Sequence, residues 1–128
     1  MTVELNHTIV PASDKVASAQ FLAGILGVAA GPQWGPFVPL KLDNGVTLDF
    51  DDQTGFAPHH YAFLVSDEEF DAGFARIEGA GIDHYADPMC QQVGEINHAY
   101  GGRGVYFRDP DGHLMELITQ PYGDGPPR

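Results

Sequence analysis

Apolar and polar positions along this chain form a pattern that occurs twice. HTIVPASD begins at His7 and HYAFLVSD at His60; each runs from a histidine through an apolar stretch to a Ser-Asp pair, with His and Asp seven positions apart. Short apolar runs bounded by polar residues predict strands. A segment with helical spacing follows each one. In the second copy Phe70, Phe74 and Ile77 fall at i, i+4 and i+7, and Ser66 and Glu69 have the spacing of a capping box. In the first copy Ser13 or Asp14 is placed to cap, and Phe21, Leu22, Ile25 and Leu26 form the apolar stripe. Gly27 closes the first predicted helix, and Gly79 and Gly81 the second.

Strands separated by turn signals come next in both halves. FVPLKL and VTLDF flank Asn44-Gly45, a pair that predicts a two-residue hairpin turn. GRGVYF and HLMELI flank Asp109-Pro110-Asp111-Gly112, where Asp first, Pro second and Gly fourth fit a type I turn. Each half thus reads as strand, helix, then two or three antiparallel strands. The expectation is an α+β protein of two β-α-β-β-β modules, about 4–51 and about 59–122, in one domain. DQTGFAPH, Asp52 to His59, is the natural joint between them. PYGDGPPR is Pro/Gly-rich and expected to fray, with 123–128 as a flexible tail. Ala86 to Gly102 is long and poorly patterned, as functional loops often are.

With 128 residues, 43% of them hydrophobic, the chain can bury a real core. A net charge of −12 with six Lys and Arg in all excludes nucleic acid and anionic membranes as partners, because phosphate binding needs clustered cations. No apolar run approaches the roughly 20 residues of a spanning helix. MTVELNHTIV lacks the basic and apolar regions of a signal peptide, and the single Cys90 cannot form an internal disulfide. A cytoplasmic location is expected.

Four polar residues interrupt apolar strands: His7, Asp49, His60 and Glu116. Each half opens with a strand histidine and closes with a strand carboxylate. Imidazole and carboxylate are the usual ligands of a divalent transition metal in an N/O site. A cation also offsets the desolvation of a buried carboxylate, which otherwise costs several kcal/mol. Two histidines plus one or two carboxylates leave positions open for water or substrate, as in catalytic sites. Alone, each residue has a plainer reading; Asp49 alternates with Val46, Leu48 and Phe50 as on a half-exposed strand.

At LNH (Leu5 to His7), HHYAFLV (His59 to Val65) and DPDGHLMELI (Asp109 to Ile118) the chain resembles the vicinal oxygen chelate superfamily, which includes glyoxalase I, extradiol dioxygenases, fosfomycin-resistance thiol transferases and bleomycin-binding proteins. The resemblance runs from about Leu5 to Tyr122. It implies a cup-shaped mixed sheet with helices on its outer face. It implies one divalent metal ion (Fe, Mn, Ni, Zn or Co) held by His7, His60 and Glu116. Asp49 stands where glyoxalase I has a fourth ligand, a Glu one methylene longer. Many members are homodimers in which two chains complete each cup, so sites shared between chains are implied too.

The resemblance points to a small enzyme on a vicinally oxygenated small molecule, either a glyoxalase-like lyase or an extradiol-type dioxygenase. The alternative is a protein of the bleomycin-resistance kind that sequesters a drug. Fosfomycin-type thiol transfer is disfavoured, because that family places a Thr where this chain has Ile9 and a phosphonate needs several cations. Glu116 is the expected base, and His98 the expected acid–base partner in GEINHAYGGRGVYF. Asn97, Arg103, Tyr106 and Trp34 are the expected substrate contacts, with glycines 101, 102 and 104 letting backbone approach a ligand. His59 is expected to support His60, His113 to face solvent, and His84 to have no role.

Overall fold

Asp14 and Ser66 start the two helices. The Asp14 carboxylate accepts the Ala17 N–H at 3.1 Å, and Ser66 forms a complete capping box with Glu69. These caps satisfy backbone donors that the first helical turn leaves without partners. Helix α1 (Lys15–Leu26) stops at Gly27, whose φ of +73° is the left-handed conformation glycine favours. Helix α2 (Asp67–Gly79) carries Asp67, Glu68 and Glu69 in its first turn, where the helix dipole favours negative charge. Residues 2–123 are described in this computed structural model, which divides into two units between Ala57 and Pro58.

In the first unit β1 (His7–Ala12), α1, β2 (Val38–Lys41) and β3 (Thr47–Asp52) form a sheet of order β1-β3-β2, with β1 parallel and β2 antiparallel to β3. In the second, β4 (His60–Leu64), α2, β5 (His84–Tyr85), β6 (Gly104–Arg108) and β7 (Leu114–Ile118) give the order β4-β7-β6-β5. Here β4 and β7 are parallel, and β6 is antiparallel to both β7 and β5. The α+β reading holds. The first unit is β-α-β-β rather than the expected β-α-β-β-β: between α1 and β2 stand a reciprocal backbone pair of Trp34 and Phe37, at 2.8 and 3.0 Å, and a bond from Gly31 N–H to the Pro39 carbonyl at 2.8 Å.

Strand alternation sorts each sheet into two faces. Val10, Ala12, Leu40, Leu48 and Phe50 are buried on one face of the first sheet, with Leu22 and Ile25 of α1. Phe63, Val105, Phe107, Met115 and Leu117 are buried on one face of the second, and Phe70 and Ile77 of α2 are fully buried too. His113 shares the parity of Met115 and Leu117 and is fully buried, which corrects the solvent-facing expectation. No helix among the described residues is long and apolar enough to cross a membrane.

The two hairpin turns, expected to differ, are one turn built twice. Asp109 N–H meets the His113 carbonyl at 3.0 Å and Gly112 N–H the Asp109 carbonyl at 3.0 Å; Leu42 to Val46 and Gly45 to Leu42 repeat this at 2.8 and 2.9 Å. Gly45 and Gly112 have φ of +89° and +84°, whereas Asn44 is not among the described non-glycine residues with positive φ. The predicted two-residue turn at Asn44-Gly45 needs φ > 0 at both central positions, so it is replaced by a type I turn with a glycine bulge. The flexible tail expected beyond Gly123 lies outside the described residues.

Candidate metal centre

Register makes the two carboxylates equivalent. Asp49 pairs with Ile9, two residues past His7; Glu116 pairs with Ala62, two residues past His60. On its other side Asp49 faces Pro39 of β2, as Glu116 faces Tyr106 of β6. Each sheet therefore presents its histidine and its carboxylate on the face turned away from the core.

In the second unit these groups touch. His60 Nε2 stands 3.1 Å from Glu116 Oε1, and the Tyr122 hydroxyl donates to Glu116 Oε2 at 2.6 Å. Glu116 is fully buried while the His60 side chain is half-exposed. His60 Nδ1 lies 2.9 Å from the Leu114 carbonyl, which only accepts, so Nδ1 carries the proton. Nε2, the remaining ring nitrogen, faces Glu116 Oε1. A nitrogen and a carboxyl oxygen at this spacing share either a proton or a metal ion. Burial pushes the Glu116 carboxyl above its ordinary range, and the Tyr122 hydrogen bond and His60 draw it partly back. The Tyr122 phenol is pushed up by burial and by the carboxylate it serves.

This donor set fits a divalent metal. Ring N–H donation to a backbone carbonyl is the usual way a ligating imidazole is oriented. The 3.1 Å between Nε2 and Oε1 suits two atoms each about 2.0–2.2 Å from one cation. Among the described residues no group of three or more His, Cys, Asp or Glu side chains is arranged to hold a metal ion.

The first unit is open by contrast. His7 is exposed, its Nδ1 2.7 Å from Asn6 Oδ1, and Asp49 is half-buried. Asn6, His7, Trp34, Phe37 and Asp49 are among the residues lining a cavity of about 340 Å³. Trp34 is largely exposed there.

Other expected site residues are engaged elsewhere. Asn97 Nδ2 donates to the Ala86 carbonyl at 2.8 Å, and its Oδ1 accepts from Ala99 N–H at 3.1 Å. Arg103 reaches α2, donating to Asp71 at 2.7 Å and to Asp67 at 3.1 Å, with its guanidinium 4.5 Å over the Phe70 ring. Those carboxylates raise its already high pKa. His98 is exposed at the start of the 3-10 turn Ala99–Gly101. Tyr106 is buried, its ring stacked on His60 at 6.0 Å and its hydroxyl 3.3 Å from that of Tyr122. A Cβ on Gly104 would meet Asn97 at 2.8 Å, and one on Gly102 would meet Gln120 and Thr119 at 2.6 Å. These two glycines serve close packing of the chain against itself, rather than approach to a ligand.

Sequence reasoning missed Tyr122, placed in a stretch expected to fray. It stacks on Tyr100 at 5.2 Å and caps the buried carboxylate. The available signal was an aromatic residue shortly after the Glu-bearing strand. His59, expected to support His60, is engaged with other groups: its N–H donates to His113 Nδ1 at 2.8 Å and its ring Nδ1 lies 3.3 Å from the Tyr61 hydroxyl.

A fold of two β-α-β units, each offering a histidine and a carboxylate on one sheet face, defines a metal-chelating class. The chain belongs to the glyoxalase/bleomycin resistance protein/dioxygenase superfamily, whose family model matches residues 4–117. It is similar to the glutathione transferase FosA of Serratia marcescens, with 31% identity over 124 residues, 91% of this chain and 81% of that one. Among solved structures it is similar to the oxidase ChaP-H2, at 57% identity and TM-score 0.95, covering 98% of this chain and all (100%) of that one. A variant of FosX from Listeria monocytogenes, solved with Mn(II) and 1S,2S-dihydroxypropylphosphonic acid, shares the fold at TM-score 0.72 and 21% identity, covering 95% of this chain and 96% of its own.

Proposed function

We propose that this chain is a metal-dependent enzyme acting on a vicinally oxygenated small molecule, with His7, His60 and Glu116 as ligands of one divalent cation. Asp49 is the fourth donor, to the cation or to a bound water. The observation that carries the reading is the His60–Glu116 pair: Nε2 stands 3.1 Å from the buried carboxylate while Nδ1–H is held by the Leu114 carbonyl, the orientation a ligating imidazole takes.

Two imidazoles and a carboxylate are the ligand set of non-haem Fe(II) oxygenases. The 57% identity to a protein named an oxidase favours that chemistry over isomerisation, and iron is the metal we assign. When bound, the cation would act as a Lewis acid toward substrate oxygens. The protein's part is to orient His60 through Leu114, hold Glu116 through Tyr122, stack Tyr106 on His60, and line the cavity beside His7 and Asp49 with Trp34. His98 remains the acid–base candidate. Asn97 and Arg103 we assign to anchoring their own loop.

Similarity to FosA does not carry thiol transfer here. Arg103 is paired with Asp67 and Asp71, and Lys15 with Asp52 and the Pro36 carbonyl, so a phosphonate would have to compete with those partners for either cation. We also infer a cytoplasmic homodimer. If its chains share sites, refolded mixtures of His7→Ala and Glu116→Ala chains regain metal binding; recovery absent would place each site within one chain.

Elemental analysis of protein purified without a metal-affinity tag tests the assignment. Iron near one per chain supports it, and metal-free protein that takes up none on titration overturns it. Small-molecule binding that survives exhaustive chelation would instead favour sequestration.

A further inference from the structure

We propose that Tyr122 is a positioning residue that reserves one Glu116 oxygen for the metal by occupying the other. The inference rests on the metal reading above and adds to it the number of positions the protein leaves open.

The two Glu116 oxygens have different partners. Oε1 faces His60 Nε2 at 3.1 Å, while Oε2 takes the Tyr122 hydroxyl at 2.6 Å. That second distance is in the range of a charge-assisted O–H···O bond, about twice as strong as a neutral one. A carboxylate can chelate a cation through both oxygens or bind through one. Here the Tyr122 hydroxyl competes with a cation for Oε2, and chelation would weaken the short bond the phenol now makes there.

Tyr122 is itself held in place. Its ring stacks on Tyr100 at 5.2 Å with 29° between planes, and its hydroxyl is 3.3 Å from that of Tyr106. The residue sits four positions beyond the end of β7, on chain that returns over the strand carrying Glu116. The consequence is chemical: a one-oxygen carboxylate uses one coordination position, and a chelating one uses two. Tyr122 thereby keeps a position for water or substrate.

The test compares Co(II) loaded into the metal-free full chain and into Tyr122→Phe, which keeps the ring and its stacking but loses the hydroxyl. Tyr122 is half-exposed, so the variant retains its core. We expect Co(II) affinity, read by chelator competition, to fall about 10-fold, the low end for a lost partner of a metal ligand. The visible Co(II) bands should weaken as coordination number rises. In isotope-edited infrared spectra with labelled Glu, the two carboxylate stretches should move closer together. Affinity within about twofold of the parent, with unchanged spectra, would overturn the role of Tyr122 while leaving the metal site standing. A parent protein that takes up no Co(II) would bring down the metal reading, and this inference with it.

Discussion

The two units share a topology, a turn and a register, yet they treat the same pair of groups in opposite ways. Leu114 N–H bonds the His59 carbonyl at 2.9 Å, just as Thr47 N–H bonds that of Asn6 at 2.9 Å. Around that common frame, Glu116 is buried against His60 and Tyr122, whereas Asp49 is half-buried beside an open cavity and His7 is exposed. Three side chains account for the difference. Glu is one methylene longer than Asp and reaches its histidine. Tyr106 stands where the first unit has Pro39, and Tyr122 adds a hydroxyl above. A duplicated scaffold thus supplies one closed, preorganised histidine–carboxylate pair and one open pair beside a cavity.

The sharpest break of this comparison exchanges each carboxylate for its amide. Glu116→Gln should lower metal affinity by more than about 100-fold, since even the outer partners of ligands are worth 10–100-fold. Asp49→Asn should cost about 10-fold or less if it acts through a bound water. Metal content by elemental analysis, with circular dichroism to confirm folding, separates them. Equal losses would mean the two positions are equivalent in function as well as in register.

A second contrast lies behind the histidines. His113 is fully buried and its Nδ1 accepts the His59 N–H; the equivalent residue in the first turn is Val46, half-buried. His113→Leu leaves that N–H without its acceptor and should cost about 1–3 kcal/mol in thermal or denaturant unfolding. Val46→Ala should cost clearly less. His113→Asn, which retains an acceptor, should recover part of the loss.

Much of the frame was legible from local chemistry. Caps at Asp14 and Ser66, left-handed glycines at Gly27 and, just past the Ala80 C-cap, Gly81, and the Asp109–Gly112 turn all depend on residues acting within a few positions. Alternation marked Glu116 as a polar group on a strand that is otherwise core. The partners of Glu116 were less visible, because His60 and Tyr122 reach it through strand pairing and chain reversal that no local pattern encodes. Arg103 misled for a related reason. A cation in a glycine-rich loop reads as a ligand for substrate, but Asp67 and Asp71 of α2 lie within its reach. His113 was misjudged although its parity with Met115 and Leu117 was there to be read.

The pH dependence of metal-free protein gives a smaller effect with a definite sign. Glu116 in the folded chain sits above the ordinary carboxylate range because of burial. The unfolded chain ionises near the ordinary value of about 4.3, so stability tied to this group is complete below that pH. It is lost as pH rises through the raised folded value. Bound metal acts oppositely, since it needs the ionised carboxylate and stabilises more as pH rises over the same window. Thermal unfolding of metal-free protein against pH should show the decline, and Glu116→Gln should reduce that slope, leaving the part due to Asp109, whose carboxyl is also raised by burial. No change in slope would mean the carboxyl is not held up by burial.

The finest test concerns the paired turns. Gly45 has a φ of +89° and open space where a Cβ would go, while Asn44 is not held at positive φ. Gly45→Ala should therefore cost about 1–2 kcal/mol from left-handed strain alone. Gly112→Ala should cost the same, because its φ of +84° is nearly identical and its nearest contact, Pro58, is 4.0 Å away. Asn44→Ala forfeits the exposed bond that its Oδ1 accepts from the Val46 N–H at 3.2 Å and should stay within about 0.5 kcal/mol. Chemical denaturation of the three variants decides it. A large penalty at Asn44 would mean it is strained as a two-residue hairpin demands, and the turns would no longer be copies of each other.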